Sequence, residues 1–374
     1  MNSPGSPALA FFALALAVAV WRAPAPAAPS FAAPAPAASP ELPAEFALEK
    51  LPAVAPYAHS ASLAELADGR LAAVWYAGSR EAAGDVAIWF SARDGSGWSA
   101  PRTAATRAAT AAATRAYVSF LGNPVLYAEK GRLHLWYGSV GFGGWSGSSI
   151  NHSVSDDGGD SWSPAEKLVA SPFLNISTAV RAPPVALADG GVGLPAYHEL
   201  FANRAEWLRL SADGRILGKA RMPSERPGLQ PAAAALDGRR ALALLRDGGS
   251  GDGRVMADAT LDGGLSWQAS ASPPIANPNS SVALLRLASG RLLLAANPLT
   301  GGARYELALF LSEDQGETWT QARVVEDDPE RKAEYSYPSL LQTRDGRIHL
   351  AYSWRSQTIA HAVFSEAWLK GDAL

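Results

Sequence analysis

Cysteine is absent from the 374 residues. Disulfides, thiolate metal sites, a cysteine nucleophile and lipid attachment at cysteine are therefore excluded. Basic tracts are missing too: 32 Lys and Arg are scattered against 35 Asp and Glu, and a formal charge of −3 gives no reason to expect a nucleic-acid partner. No glycine-rich loop follows a strand and opens a helix, so nucleotide binding has no support. His152 and His361 match no metal-ligand spacing, and neither a metal nor a cofactor is expected. The apolar run over residues 8–21 is 14 residues long, short for a membrane-spanning helix and suited to the core of a signal peptide. Ala23-Pro24-Ala25 or Ala25-Pro26-Ala27 could supply small-residue cleavage. No Lys or Arg precedes the run and Arg22 follows. Residues 1–22 thus read as a cleaved signal or an uncleaved anchor, and the chain as exported, periplasmic or secreted. Residues 23–44 are almost all Ala and Pro and read as a stiff, unfolded spacer. The folded part is expected over 45–374, as a monomer.

What is present is apolar and repetitive. Hydrophobic residues make up 48% of the chain, enough for a large core, and there are 12 Trp. Ser155, Asp157, Gly159, Ser161 and Trp162 form a spaced pattern that recurs at Thr260, Asp262, Gly264, Ser266 and Trp267, and at Ser312, Asp314, Gly316, Thr318 and Trp319. The Asp can accept from backbone N–H groups of its own turn, the Gly supplies a positive φ, and the Trp can fold over an apolar face. The pattern resembles the Asp-box of the sialidase (neuraminidase) superfamily and its BNR/Asp-box repeat relatives. It is a hairpin turn and carries no chemistry.

A second phrase sets the period. Tight turns at Gly69, Gly131, Gly190, Gly238, Gly290 and Gly346 are mostly followed by strand-like apolar text. Their spacing suits propeller blades with variable loops. Ser155, Thr260 and Ser312 keep nearly one offset from these glycines, and worn copies of the box stand at Ser91 to Trp98 and at Ser211 to Gly214. The sixth repeat ends before its box. The expectation is an all-β, six-bladed β-propeller whose N-terminal strand completes the last blade.

The innermost strands start near the axis, so residues shortly before each tight turn should ring the channel mouth. That position reads His59, Asn123, Arg181, Gln230, Asn279 and Tyr337, all polar or polar-tipped in otherwise apolar text. Arg80, Asp85, His198, Glu199, Arg246, Arg304 and Arg355 follow on later strands. Such convergence suits a concave ligand site.

Here the resemblance to sialidases becomes specific. Arg80-Glu81-Ala82-Ala83-Gly84-Asp85 resembles the loop carrying the family's acid/base Asp, which implies that role for Asp85 with Arg80 orienting it. Arg246 and Arg304 match two of the three arginines that grip the substrate carboxylate. Tyr337-Pro338-Ser339-Leu340 resembles the segment of the catalytic Tyr. Two positions depart: His59 stands where the family has its first Arg, and Gln230 where it has the Glu that takes the Tyr proton. Tyr has an ordinary pKa near 10 and needs a base at neutral pH, for which His59 and Glu199 are candidates. The resemblance implies hydrolysis of an acidic oligosaccharide or polysaccharide. The departures keep open a uronic-acid polysaccharide lyase, with His59 and Tyr337 as base and acid, and a non-catalytic glycan-binding propeller. Trp145 in its Gly-rich loop reads as a rigid loop aromatic.

Overall fold

A computed structural model describes residues 10–15, 18, 28–33, 35, 42–171, 175–200, 202–249 and 253–371. Half of the apolar run and both small-residue cleavage candidates fall outside them. No helix among the described residues is long and apolar enough to cross a membrane.

Six antiparallel sheets follow one another as the blades of a β-propeller. Their inner strands begin at Tyr57–Glu65, Phe120–Glu129, Ala179–Val180, Gly228–Ala235, Ala283–Arg286 and Tyr335–Gln342, and adjacent inner strands touch in cyclic order. Blade 6 is completed from the other end of the chain. Phe46–Lys50 pairs antiparallel with Thr358–Phe364, from Phe46 opposite Phe364 to Lys50 opposite Ala360. This is the closure expected from the sequence, and it gives the last blade its fourth strand, covering the edge of Thr358–Phe364.

Apolar alternation puts the core between blades. Small and branched side chains carry this packing. Ala72, Val74, Ile88, Leu126 and Leu135 belong to one cluster spanning blades 1 and 2, and Leu293, Leu309, Ile348, Leu350 and Phe364 to another spanning blades 5 and 6.

The three box turns share one local network. Asp157 Oδ1 accepts from Ser155 Oγ at 2.7 Å and from Ser161 N–H at 2.9 Å, while Gly159 N–H donates to Ser155 Oγ at 2.8 Å. Thr260, Asp262, Gly264 and Ser266 repeat these bonds, as do Ser312, Asp314, Gly316 and Thr318. Each box also leans on the preceding blade. Gly159 lies against Phe90 of blade 1, Gly264 against Trp207 of blade 3, and Gly316 against Leu242 of blade 4, so closely that a Cβ would lie 2.3, 2.6 and 2.5 Å from them. Trp267 stacks obliquely on Trp207 with centroids 5.1 Å apart.

One expectation fails in the Ala/Pro stretch. Residues 23–44 are not wholly an unfolded spacer, because the segment around Phe31 is docked on the propeller. Phe31 N–H donates to Gly238 O at 2.8 Å, Ala32 N–H to Ala186 O at 2.9 Å, and Ala188 N–H to Ser30 O at 2.8 Å. The Phe31 ring is buried with Leu187, Trp207, Met222 and Trp267. Composition concealed this because one aromatic among many Ala and Pro, with Ala33 beside it, supplies most of the apolar area of the docking.

Candidate active site

The site is built on strain. Each of the six blades holds a non-glycine residue in the left-handed region in or just before its inner strand: Ser60 (φ 57°), Asn123 (φ 47°), Ser177 (φ 59°), Gln230 (φ 51°), Asn279 (φ 59°) and Tyr337 (φ 55°). In four of them the strand register slips at that point, between His59 and Ser62, Gly122 and Val125, Leu229 and Ala232, and Ser336 and Ser339. Such a bulge leaves a residue unpaired and re-aims its side chain. Pro124, Pro231 and Pro338 come next, where a ladder N–H is not required. A left-handed residue costs roughly 1–2 kcal/mol. Concentrating several on one face marks it as the candidate site.

Four of the six ring residues then meet at one hub. Arg246 Nε donates to Asn279 Oδ1 at 2.5 Å, and its Nη1 donates to Gln230 Oε1 at 3.0 Å and Tyr337 Oη at 3.1 Å. Arg304 stands over the same tyrosine, its Cζ 6.0 Å from the ring centroid, and donates to Glu334 Oε1 at 2.8 Å and Asn279 O at 3.0 Å. The His59 ring packs on Tyr337 with centroids 4.2 Å apart. Asn123 reaches the hub indirectly, donating to Tyr197 Oη at 3.0 Å, beside which Gln230 Nε2 lies at 3.4 Å. A cavity of about 400 Å³ opens next to Asn279 and Arg304, walled by Asp247, Asn277 and Gly301. The larger cavities lie at the tight-turn end, where Arg70 and Arg344 line them and are paired with Asp68 and Glu65.

Charge sets the protonation states. Burial alone would raise the Tyr337 phenol, but the charge of Arg246, the hydrogen bond with Gln230 and the charge of Arg304 outweigh it and bring the group below its ordinary value. Burial, reinforced by Arg181, Arg304 and Arg246, pushes His59 well below its ordinary value and keeps it neutral. Burial raises the half-buried Glu199 carboxyl, with Arg246 opposing.

Several expected placements are corrected. Arg181 does not line the mouth; it is 2% exposed and lies beneath Tyr337, donating to backbone carbonyls. His59 is buried and stacked rather than bonded to the Tyr337 hydroxyl, and its Nδ1 has no partner among the described residues, so it is a poor base for that proton. Arg80 does not orient Asp85: its Nη1 donates to Glu81 O, while Ser79 holds the carboxylate through N–H at 3.1 Å and Oγ at 3.0 Å. Asp85 itself is exposed, not buried. It stands beside Gly78, the strand partner of Tyr57, whose ring is 5.8 Å from that of His59. His198 turns away to Glu206 at 2.8 Å, and Arg355 lies exposed over Trp354. Trp145 fills the space against Gly122.

Tyr76, Tyr197 and Glu334 also belong to the site, and the ring offset did not single them out. Tyr76 and Tyr197 each follow their tight-turn glycine by seven residues, so the repeat carried a signal for them. Glu334 immediately precedes the strand Tyr335–Gln342 and offered none.

The family model for the BNR repeat-like domain matches residues 69–350, more than half of the chain. The chain belongs to that family. No curated protein sequence matches it. Among solved structures this BNR repeat-like propeller is similar to a Hadza microbial sialidase, at 16% identity and TM-score 0.67, over 83% of this chain and 66% of that one. The NanB sialidase of Streptococcus pneumoniae is similar at 12% identity and TM-score 0.65, over 85% and 70%. The intramolecular trans-sialidase of Ruminococcus gnavus is similar at 15% identity and TM-score 0.63, over 85% and 96%. At these identities the likeness is one of fold. The chain thus spans just under two thirds of the first of these proteins and nearly all of the last.

Proposed function

We propose that this propeller is an exported sialidase-like glycoside hydrolase that cleaves a bond next to an acidic sugar. The observation that carries the reading is the Tyr337 hydroxyl, bonded by Arg246 beneath Arg304, on the blade face that also bears Asp85. Arg246 and Arg304 would hold the carboxylate, since paired guanidinium groups suit a planar anion. Tyr337 Oη would bond to the anomeric carbon as the glycosidic C–O bond breaks, and Asp85 would give its proton to the leaving oxygen. Water would then release the sugar, returning a proton to Asp85. Glu199, raised by burial, supports a role as proton acceptor near the hub better than His59 does.

A second reading has one observation in its favour. The Tyr337 hydroxyl has Gln230 at 3.5 Å in place of a carboxylate base, as a binding-only propeller would tolerate. Incubation with sialyllactose and uronic-acid oligosaccharides, with mass analysis of products, separates the two. The expected result is release of a free acidic sugar, with Asp85→Ala and Tyr337→Phe each slower by about a hundredfold or more at unchanged unfolding temperature. Saturable binding without product favours the binding propeller, and a product with a new carbon–carbon double bond favours a lyase.

A further inference from the structure

Among the described residues Arg181 is a buried cation with no anion against it. It is 2% exposed, and its hydrogen bonds there go to carbonyls: Nη2 to Tyr337 O at 2.6 Å and Pro338 O at 2.9 Å, Nη1 to Ala61 O at 3.4 Å. Its Nε has no partner in the same set. Taking a guanidinium out of water without a counter-charge is costly, and carbonyl dipoles offset only part of that. Burial pulls the group down to about 10, with the phenols of Tyr337, Tyr197 and Tyr76 acting in the opposite sense.

Of the phenols nearby, one is suited to carry the missing charge. Tyr57 and Tyr76 of blade 1 and Tyr197 of blade 3 are all raised by burial and stay protonated. Tyr337 lies with its ring centroid 5.2 Å from Arg181 Cζ and 6.0 Å from Arg304 Cζ, and its hydroxyl accepts from Arg246 at 3.1 Å. His59, against the same ring, is neutral; Glu334 is committed to Arg304, and Glu199 faces Tyr197 and Arg246. The pocket therefore holds three arginines around one phenol.

We propose that Arg181 is a positioning residue for Tyr337: it cradles the backbone of the bulge and adds a third, buried positive charge behind Arg246 and Arg304 that favours the Tyr337 phenolate, so that the phenol ionises without a carboxylate bonded to its hydroxyl. Gln230 at the base position is then no defect. The proton leaves to solvent before substrate arrives, the phenolate lone pair forms the bond to the anomeric carbon, and the glycosidic electron pair goes to the leaving oxygen with the proton of Asp85. The proposal deepens the reading of Tyr337 as nucleophile. Its test needs no substrate, so it stands or falls apart from hydrolysis.

The test is ultraviolet titration of phenolate absorbance, with Tyr337→Phe subtracted to isolate one tyrosine. In the wild type the difference curve should show a phenol ionising below its ordinary value, and in Arg181→Gln that step should rise by about 1–2 units. Arg181→Lys keeps the charge but loses the two-carbonyl cradle, and should leave the step close to wild type. A merely structural arginine predicts the reverse for Lys. An ordinary phenol in the wild type, an unmoved step in Arg181→Gln, or a lost step in Arg181→Lys each overturns the proposal. If Arg181→Gln does not fold, Arg181→Met, which fills the same space without charge, takes its place, and a step left at the wild-type position overturns the proposal.

Discussion

A carboxyl group sits wholly inside blade 4. Asp258 is on the strand Met256–Thr260 between Ala243 and Ala269, fully buried, with no good hydrogen bond to either oxygen among the described residues. Burial pushes it up to about 7, weakly opposed by the Ser224 N–H. Between about pH 4 and pH 7 the native state keeps a proton that the unfolded chain has lost, so stability falls as pH rises through that window. A shift of roughly three units corresponds to an upper limit on the order of 4 kcal/mol. Asp258→Asn should therefore melt above the wild type near pH 8 and much closer to it near pH 4; a gap independent of pH would show that Asp258 does not titrate this way. The same scale shows what sequence can and cannot supply. A fixed offset before each tight turn located Gln230, Asn279 and Tyr337 because the blades repeat. The offset carries depth along the strand but not direction, and the bulges set direction. Hence Arg181 and His59, at the same offset, turned out to lie under the site floor and against Tyr337 instead of at the mouth.

Elements were legible where their bonds are local. In each box turn the acceptor and its donors lie within four residues, so the pattern carries its own geometry. What the pattern did not carry is the partner: the preceding blade that each box covers. Two glycines with nearly equal φ separate these contributions. Gly69, at 88°, has nothing near a prospective Cβ, whereas Gly264, at 86°, would place one 2.6 Å from Trp207 Nε1. Gly69→Ala should cost about 1–2 kcal/mol for the left-handed backbone alone. Gly264→Ala adds displacement of a buried Trp and should cost clearly more, read as the difference in denaturation midpoints. Equal losses would mean that the box shapes its own hairpin without tying one blade to the next.

At the scale of the molecule, the chain closes its ring through Phe46–Lys50 in blade 6, and shortly before that it is held at blades 3 and 4. Blades 3 and 6 face each other in a ring of six, so one stretch of chain is fixed on two opposite sides. Closure was readable because a last repeat without its outer strand requires a donor. The second tie was not, because its hydrogen bonds run to Ala186, Ala188 and Gly238, positions with no pattern of their own, and Phe31, with Ala33 beside it, supplies most of the apolar area. Phe31 pairs with Leu187 and packs edge-on against Trp207 of blade 3, in a cluster that also holds Trp267 and Met256 of blade 4, and so adds to the contacts the two sheets already share. Loss of a buried Phe costs about 3–5 kcal/mol where the site cannot collapse. Phe31→Ala should therefore lower the global melting temperature, not merely release the segment, and should abolish amide-exchange protection at Phe31 and Ala32. A chain starting at residue 42 should melt like Phe31→Ala, since the ring aromatic accounts for most of what the segment contributes. If exchange protection is lost while the melting temperature stays at the wild-type value, the segment is a passenger on a propeller that the strand at Phe46–Lys50 closes unaided.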